Sequence, residues 1–272
     1  QSGTECDFSS SDSWVILSPI EQSIKRKIEA VGTPLKDWDI QINYGIKTGY
    51  NDAFIIDTAK RDEILANCQS EDERERTAEL IRPILRGRDI KRYGYNWANL
   101  WLINTHNGIR GKLERIHIED YPAVKAHLDQ YWDKISKRAD KGETPYNLRN
   151  CAYLDLFFQP HICWKAVGRN LAFALVEGGT FLTAPASFIS AGAYNDLILA
   201  YLCSNVGKYF IYKNSDTTGA GDIMLNIQSL IKFPVPHISF ENPPISDDCT
   251  NHFVYESYGF SKEEITYIEE QI

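Results

Sequence analysis

Hydrophobic and polar residues alternate along several short stretches of this chain, as they do in strands that bury one face. Residues 39–44 show this alternation, and an apolar stretch at residues 53–56 follows a loop that contains Gly45 and Gly49. The pattern predicts a β-hairpin with its turn at residues 45–52. Further apolar stretches predict strands at residues 100–103, 160–165, 171–176, 180–183 and 187–189.

Apolar positions three or four residues apart predict helices between these strands. Ser18-Pro19-Ile20-Glu21 is a capping box that should open a helix ending at Gly32. A helix at residues 121–139 should bury Val124, Leu128, Trp132 and Ile135, with Arg138 elsewhere on its surface. Further helices are expected at residues 70–82, 195–213, 227–231 and 261–272. The mixture predicts an α+β fold, with a mixed, mostly antiparallel sheet and packed helices.

Three regions follow from the order of these elements. We expect a connector helix at residues 1–34, a central domain at residues 35–236 and an acidic helical extension at residues 237–272. Pro243-Pro244 marks the linker to the extension. The chain of 272 residues is long enough to bury a core of ordinary size.

The charge of the chain is unevenly distributed. The net charge is −8, which at first opposes binding to nucleic acid. Residues 81–170, however, contain 16 Lys and Arg against 9 Asp and Glu, while the rest of the chain contains 13 against 28. Electrostatic binding surfaces are local, so a basic middle region is compatible with nucleic-acid binding.

Cysteine usage and hydropathy indicate the compartment. The six cysteines are scattered without a C-x-x-C pair, which favours a reduced protein without zinc. No apolar run is long enough to span a membrane, and the N-terminus lacks a signal-peptide pattern. We therefore expect a cytoplasmic protein without a membrane partner.

The most basic stretch lies at residues 84–93. A guanidinium can donate two hydrogen bonds to phosphate oxygens or to a guanine edge, whereas the alternative is a solvated loop with one internal Arg–Asp pair. Leu85, Asp89 and Ile90 should fix the loop. The candidates for contact with DNA in this stretch are Arg86, Arg88, Lys91 and Arg92. Which of these cations face outward stays open.

Other predicted loops also carry hydrogen-bond donors. In the predicted hairpin loop, Lys47, Thr48, Tyr50 and Asn51 either contact phosphates and base edges or cap one another. The remaining candidates are Arg149, Lys165, Arg169, Lys213 and Thr218. No nucleophile–base pair, metal-ligand cluster or cofactor loop accompanies them, so the pattern favours binding over catalysis.

Three short motifs resemble catalytic or nucleotide-binding sequences but depart from them. Asn242-Pro243-Pro244-Ile245 has isoleucine where the loop of adenine N6-methyltransferases needs a stacking ring. Asp89-Ile90-Lys91 matches the acidic-x-Lys triplet of magnesium-dependent nucleases but lacks an upstream acidic partner. Thr218-Gly219-Ala220-Gly221 follows a helix and lacks a Gly-Lys-Ser/Thr ending, so a turn that closes on a nucleic-acid backbone fits it better.

Five motifs in order resemble the TaqI-like C-terminal specificity domain, the target-recognition module of adenine-specific methyltransferases and fused restriction–modification enzymes. They are residues 45–54 and 82–93, Tyr121-Pro122 before a helix, the Ile162-Cys163-Trp164-Lys165 strand and the Phe233-Pro234-Val235-Pro236 ending. The resemblance covers roughly residues 35–265. The loop Thr183-Ala184-Pro185-Ala186 departs from the more polar pattern of the family.

The resemblance implies that the central domain recognises a specific sequence in double-stranded DNA. It also implies an N-terminal methyltransferase domain in the same full-length chain, with S-adenosylmethionine as its cofactor, and Mg²⁺ if a nuclease is fused. On this interpretation the present chain alone is not an enzyme, holds no cofactor and works in the cytoplasm of a bacterium or an archaeon.

A second hypothesis is a protein-interaction module that docks a partner catalytic domain through the acidic tail and aromatic side chains. It predicts that Arg88 is buried against Asp89 or a helix C-terminus. DNA recognition instead predicts that Arg88 lines a concave face.

Overall fold

The structure, a computed structural model, describes residues 17–238 and 247–272, and Asn242-Pro243-Pro244-Ile245 lies outside these residues. The helices are α1 Pro19–Val31, α2 Asn51–Phe54, α3 Thr58–Ala66, α4 Glu71–Leu80, α5 Pro122–Asp129, α6 Trp132–Ile135, α7 Asn195–Cys203, α8 Asn205–Asn214, α9 Ile227–Leu230, α10 Asp247–Tyr258 and α11 Lys262–Glu270. The strands are β1 Thr33–Pro34, β2 Gln41–Tyr44, β3 Ile55–Asp57, β4 Ile81–Leu85, β5 Ile90–Lys91, β6 Gly94–Tyr95, β7 Leu100–Ile103, β8 His161–Trp164, β9 Val167–Gly168, β10 Phe173–Val176, β11 Phe181–Leu182, β12 Ser187–Ser190, β13 Asp216–Thr217, β14 Ile223–Met224 and β15 Pro234–Val235. None of these helices is long and apolar enough to cross a membrane.

The chain divides into two compact units. The central unit comprises Gln41–Ala166 and Ala172–Asn195, and the terminal unit comprises the described residues of Gln1–Ile40, Val167–Leu171 and Asp196–Ile272. The central ranges contain 20 Lys and Arg against 19 Asp and Glu, and the terminal ranges contain 9 against 18. The acidity of the protein therefore belongs to the terminal ranges. The boundaries predicted after residues 34 and 236 stay a prediction, because compactness does not measure independent folding.

Two four-stranded sheets and the short β5–β6 hairpin build the central unit. In the first, β10, β8, β12 and β2 pair in that order, and all of the pairs are antiparallel. In the second, the order is β11, β4, β7 and β3, with β11 parallel to β4 and the other pairs antiparallel. The predicted α+β fold with mixed, mostly antiparallel pairing is confirmed.

Aromatic side chains join the two sheets in the core. The Phe157 ring centroid lies 4.7 Å from that of Phe181 in β11 and 4.6 Å from that of Phe188 in β12. All three side chains are fully buried. Because Phe181 and Phe188 belong to different sheets, their packing on Phe157 gives the central unit one continuous apolar core.

The hairpin predicted over residues 39–56 is wrong. β2 pairs with β12 and β3 pairs with β7, so the two strands lie in different sheets. Between them, Asn51–Phe54 forms one helical turn that fully buries Ala53 and Phe54. Tertiary burial of these side chains outweighs the local strand pattern.

Two helices predicted as continuous are interrupted. Residues 121–139 form α5 and α6 with a break between them, and Trp132, expected on the buried face, is 43% exposed. Within residues 195–213, Ser204 is the N-cap that begins α8, because its Oγ accepts a hydrogen bond from Gly207 N at 3.0 Å. Helix α10 lies within the expected helical extension, but it precedes the helix predicted there at residues 261–272.

Capping residues at the N-termini of α1 and α11 stabilise the helices of the terminal unit. The capping box predicted at Ser18 is confirmed, and α1 ends at Gly32 as expected. A second capping box, formed by Ser261 and Glu264, begins α11. The Glu264 carboxylate, besides capping α11, accepts hydrogen bonds from Lys27 Nζ and Ser23 Oγ, both at 2.7 Å. These bonds fasten α11 to α1.

Two small sheets complete the terminal unit. One pairs β1 with β15, and the other has the antiparallel order β13, β14, β9.

Candidate nucleic-acid interface

All four strands of the first sheet of the central unit begin or end at one set of paired residues. Ser187, the first residue of β12, pairs with Tyr44, the last of β2, and with Trp164, the last of β8. Trp164 also pairs with Phe173, the first residue of β10. The segments that adjoin these four residues therefore leave the sheet at the same end.

Backbone hydrogen bonds bring loops of the second sheet to this end. Gly45 N, just after β2, donates to Ala186 O at 2.8 Å. Thr183 N, just after β11, donates to Leu85 O at 2.9 Å. The loops after β2, β4 and β11 therefore lie side by side.

The basic stretch lies at the same end. Tyr93 N donates to Phe173 O at 2.9 Å. A Cβ added at Gly87 would lie 3.1 Å from Lys165 Cβ, so the backbone of Gly87 packs against the stem of Lys165. We call this end of the central unit the loop cluster, which consists of residues 45–51, 86–95, 165–166 and 183–186.

Arg86 is engaged by Asp89 within the loop cluster. Its Nε and Nη2 donate to the two carboxylate oxygens at 3.0 and 2.7 Å, and its backbone N donates at 2.8 Å. The Asp89 side chain is 6% exposed. Burial alone would raise the pKa of Asp89, but the hydrogen bonds from Arg86 outweigh it and lower the pKa. The pair fixes the turn, and the fork of Arg86 is used inside the protein.

The turn that Asp89 fixes presents Arg88 and Lys91 to solvent. Both side chains are exposed, and Lys91 Nζ donates to Arg88 O at 3.3 Å. Arg92 is half-buried, with its Cζ 5.2 Å from the Tyr93 ring centroid. Arg92 and Tyr93 form the two-residue turn between β5 and β6, where Tyr93 adopts a φ of 63°.

In the loop after β2, Thr48 and Asn51 cap one another. Thr48 Oγ1 donates to Asn51 Oδ1 at 2.6 Å and accepts a hydrogen bond from Tyr50 N at 3.2 Å. Thr48 is 2% exposed, so its hydroxyl supports the loop. Lys47 and Asn51 are exposed, and Tyr50 is half-buried.

Arg149 lies against the same loop through Asp140. Its Nη1 donates to Asp140 Oδ1 at 2.8 Å, and the Arg149 side chain is 49% exposed. A Cβ added at Gly49 would lie 3.0 Å from Asp140 Cβ, so Asp140 packs directly on the loop. Arg149 therefore adds an exposed cation next to the loop cluster.

The other three candidates lie in the terminal unit. Arg169 Nε is 3.6 Å from Asp222 Oδ1, and the Arg169 side chain is 80% exposed. Thr218 Oγ1 accepts a hydrogen bond from Asp222 N at 3.1 Å, which closes the turn between β13 and β14. Lys213 Nζ donates to Glu21 Oε1 at 2.8 Å, and this bond lowers the pKa of Glu21 to about 2. Lys213 therefore fastens α8 to α1.

Two of the three motifs that resemble catalytic or nucleotide-binding sequences lie in the described residues, and both form internal hydrogen bonds. The Asp89 carboxylate faces the guanidinium of Arg86, an environment that does not suit a metal ligand. In the second motif Gly221 N donates to Thr218 O at 2.9 Å. Across residues 17–238 and 247–272, no group of three or more His, Cys, Asp or Glu side chains could hold a metal ion.

Sequence reasoning missed the role of Arg138. The residue was expected on the helix surface, but it is 7% exposed and donates hydrogen bonds to the backbone of two loops. Helix α6 ends at Ile135, so Arg138 lies in the segment that follows it, where helical spacing no longer predicts which side chains are buried.

Comparison with known proteins identifies the family. The TaqI-like C-terminal specificity domain matches residues 82–235, which is more than half of the chain. The chain belongs to this family. It is similar to the type II methyltransferase M.BstVI of Geobacillus stearothermophilus, with 22% identity over 283 aligned positions. The alignment covers 97% of this TaqI-like chain and 47% of M.BstVI, so the chain spans about half the length of that relative.

Two solved structures share the fold of this TaqI-like chain. The type IIL restriction–modification enzyme MmeI, solved in complex with DNA, gives a TM-score of 0.59 at 12% identity, over 88% of this chain and 36% of MmeI. The type IIG restriction endonuclease BpuSI gives 0.55 at 15% identity, over 93% of this chain and 31% of BpuSI. At these identities the likeness shows the fold alone.

Proposed function

We propose that this chain recognises a specific sequence in double-stranded DNA, as the target-recognition part of a longer restriction–modification enzyme. The observation that carries the proposal is the set of exposed cations on the loop cluster, Lys47, Arg88 and Lys91. They stand on loops that backbone hydrogen bonds hold at one end of the central unit. Cations on a rigid frame suit phosphate contacts, and an arginine among them suits a guanine edge. Membership of a specificity-domain family supports this function.

Within the loop cluster we assign two roles. Lys47, Asn51, Arg88 and Lys91 are accessible and would contact DNA, with Arg149 beside them. The supporting or flanking residues are Thr48, Tyr50, Arg86, Arg92 and Lys165. In the terminal unit, Arg169 keeps an accessible charge, whereas Lys213 and Thr218 serve the fold of that unit.

A protein-interaction module is the weaker candidate. That hypothesis needs Arg88 buried against Asp89 or a helix C-terminus. Arg86 is the residue that pairs with Asp89, and Arg88 is exposed. The exposure of Arg88 favours recognition of DNA.

Catalysis would belong to the remainder of the enzyme. The chain spans about half of M.BstVI, a type II methyltransferase, so an N-terminal methyltransferase domain in the same full-length chain is the expected partner. S-adenosylmethionine would be the cofactor of that domain, and Mg²⁺ would be needed if a nuclease is also present. The present chain alone would then be a DNA-binding protein and not an enzyme, and its place would be the cytoplasm, where bacterial DNA lies.

Selection from a pool of duplexes with a randomised centre tests the proposal. The chain should enrich one sequence and bind it about a hundredfold more tightly than a scrambled duplex at low salt. The affinity should fall steeply as the salt concentration rises, because counterions are released from phosphates. Enrichment no greater than that of a pool passed over empty support would refute the proposal.

A matched pair of double variants locates the interface. Lys47→Ala with Arg88→Ala should weaken binding to the selected duplex at least about tenfold. Lys36→Ala with Lys232→Ala removes the same charge from exposed positions of the terminal unit, and should change binding by less than about twofold. Equal losses in both variants would show that net charge, and not the loop cluster, governs binding.

A further inference from the structure

We infer that Arg138 is a positioning residue that holds the loop at residues 45–51 in the conformation that contacts DNA. It acts through a hydrogen bond to the backbone of Thr48 and would not touch DNA itself. The inference rests on the proposed function, since the contact of this loop with DNA is part of that proposal.

The guanidinium of Arg138 joins two loops of the central unit. Its Nη1 donates to Thr48 O, in the loop after β2. Its Nη2 donates to Pro145 O at 3.0 Å and to Asn147 O at 2.6 Å. The rigid, planar fork therefore sets the position of Thr48 relative to residues 145–147.

Arg138 is buried, and its hydrogen bonds go to backbone carbonyls. Its Cζ lies 4.2 Å from the ring centroid of the fully buried Phe54. No ion pair involves this guanidinium among the side chains of residues 17–238 and 249–272, and Asp140, which pairs with Arg149, acts on it only through a longer-range Coulombic attraction. Burial lowers the pKa of Arg138 to about 10, so the side chain stays charged at neutral pH. A buried charge is costly unless it is hydrogen-bonded, so the carbonyls that it binds are firmly held.

The loop passes closely over the stem of Arg138. Gly49 has a φ of +71°, and a Cβ added there would lie 3.3 Å from Arg138 Cδ. The neighbouring Thr48 accepts the Arg138 bond at its carbonyl and uses its hydroxyl to hold Asn51. The constraint on Thr48 is therefore passed to its exposed neighbours, Lys47 and Asn51.

Three variants separate positioning from a general loss of stability. Arg138→Met keeps much of the stem volume and removes every donor. Arg138→Lys keeps the charge but replaces the planar fork with a single ammonium, which cannot reproduce the three bonds. The matched control is Ile64→Ala, which destabilises the same unit from its buried position on α3, outside the loop cluster.

Amide hydrogen exchange tests the inference without DNA. Tyr50 N is bonded to Thr48 Oγ1, so its exchange reports on the order of the loop. We expect exchange at Tyr50 to become at least about tenfold faster in Arg138→Met and to change little in Ile64→Ala. Unchanged exchange in Arg138→Met, or the same acceleration in the control, would overturn the inference.

The salt dependence of DNA binding supplies a readout that a merely structural role would not produce. On the selected duplex, Arg138→Met should weaken binding about tenfold with the salt slope unchanged, and Arg138→Lys should lie between it and the parent chain. A slope smaller by about one would mean that Arg138 contacts a phosphate, and an equal loss in Ile64→Ala would mean that stability alone is responsible. Either result rejects positioning. If the parent chain binds no duplex, the proposed function fails, but the hydrogen-exchange result still tests whether Arg138 orders the loop at residues 45–51.

Discussion

The Arg86–Asp89 pair of the central unit and the Arg169–Asp222 pair of the terminal unit differ in geometry and burial. In the central unit, Arg86 Nη2 lies 2.7 Å from Asp89 Oδ1, and the Asp89 side chain is 6% exposed. In the terminal unit, Arg169 Nε lies 3.6 Å from Asp222 Oδ1, and the Arg169 side chain is 80% exposed. Both segments were predicted from the sequence as loops that contact DNA.

The difference shows how one arginine can set the exposure of its neighbours. The buried Asp89 binds Arg86 at three points and thereby fixes the turn that presents Arg88 and Lys91. The loose Arg169 pair fixes no turn, because a solvent-exposed ion pair contributes little. The first segment therefore offers donors in defined positions, as base recognition requires, and Arg169 offers a charge without a defined direction.

The largest expected effect is a loss of stability when Asp89 is removed. Asp89→Ala leaves the half-buried Arg86 without its three hydrogen bonds to the carboxylate, so the free energy of unfolding should fall by about 2 kcal/mol. Asp222→Ala, the matched change in the terminal unit, should cost about 0.5 kcal/mol or less. Urea unfolding followed by tryptophan fluorescence measures both. Equal losses would abolish the distinction between the two pairs.

An intermediate effect is expected on DNA binding. Arg88→Ala should lower the salt slope of DNA binding by about one. It should also weaken binding to the selected duplex about tenfold more than it weakens binding to a scrambled duplex. Arg169→Ala should weaken both duplexes equally, because its charge reads no base. Titrations at several salt concentrations measure both quantities. A loss of selectivity in Arg169→Ala without one in Arg88→Ala would reverse the comparison.

Several strands of the central unit could be predicted because their signals are local, whereas β4 was predicted partly as the end of a helix and partly as the basic loop. The apolar stretches around Leu100–Ile103, His161–Trp164 and Phe173–Val176 are all strands in the structure. The partners of strands could not be predicted in the same way. Alternation indicates that β2 is a strand, but not that β12 lies beside it. Only the packing of distant residues decides that pairing.

The candidate site could be predicted by residue type but not by role. In the sequence, Arg86 and Arg88 are equivalent candidates for contact with DNA. Only their distances to Asp89 in the structure distinguish their roles. The role of Arg138 could not be predicted for a different reason. Arginine is rarely buried, and the carbonyls that make its burial tolerable include that of Thr48, which is distant in the chain and which the sequence does not place beside Arg138.

The smallest expected effect concerns Lys213, whose 2.8 Å bond to Glu21 resembles the tight pair of the central unit more than the Arg169 pair. The bond lowers the pKa of Glu21 from 4.5 to about 2, so its stabilising contribution is present above pH 4.5 and is lost as the pH falls toward 2. After allowance for solvent screening, Glu21→Gln should lower the free energy of unfolding by about 1 kcal/mol at neutral pH. Urea midpoints at neutral pH and near pH 2 should show this difference shrinking, and a constant difference would exclude the ion pair as its cause.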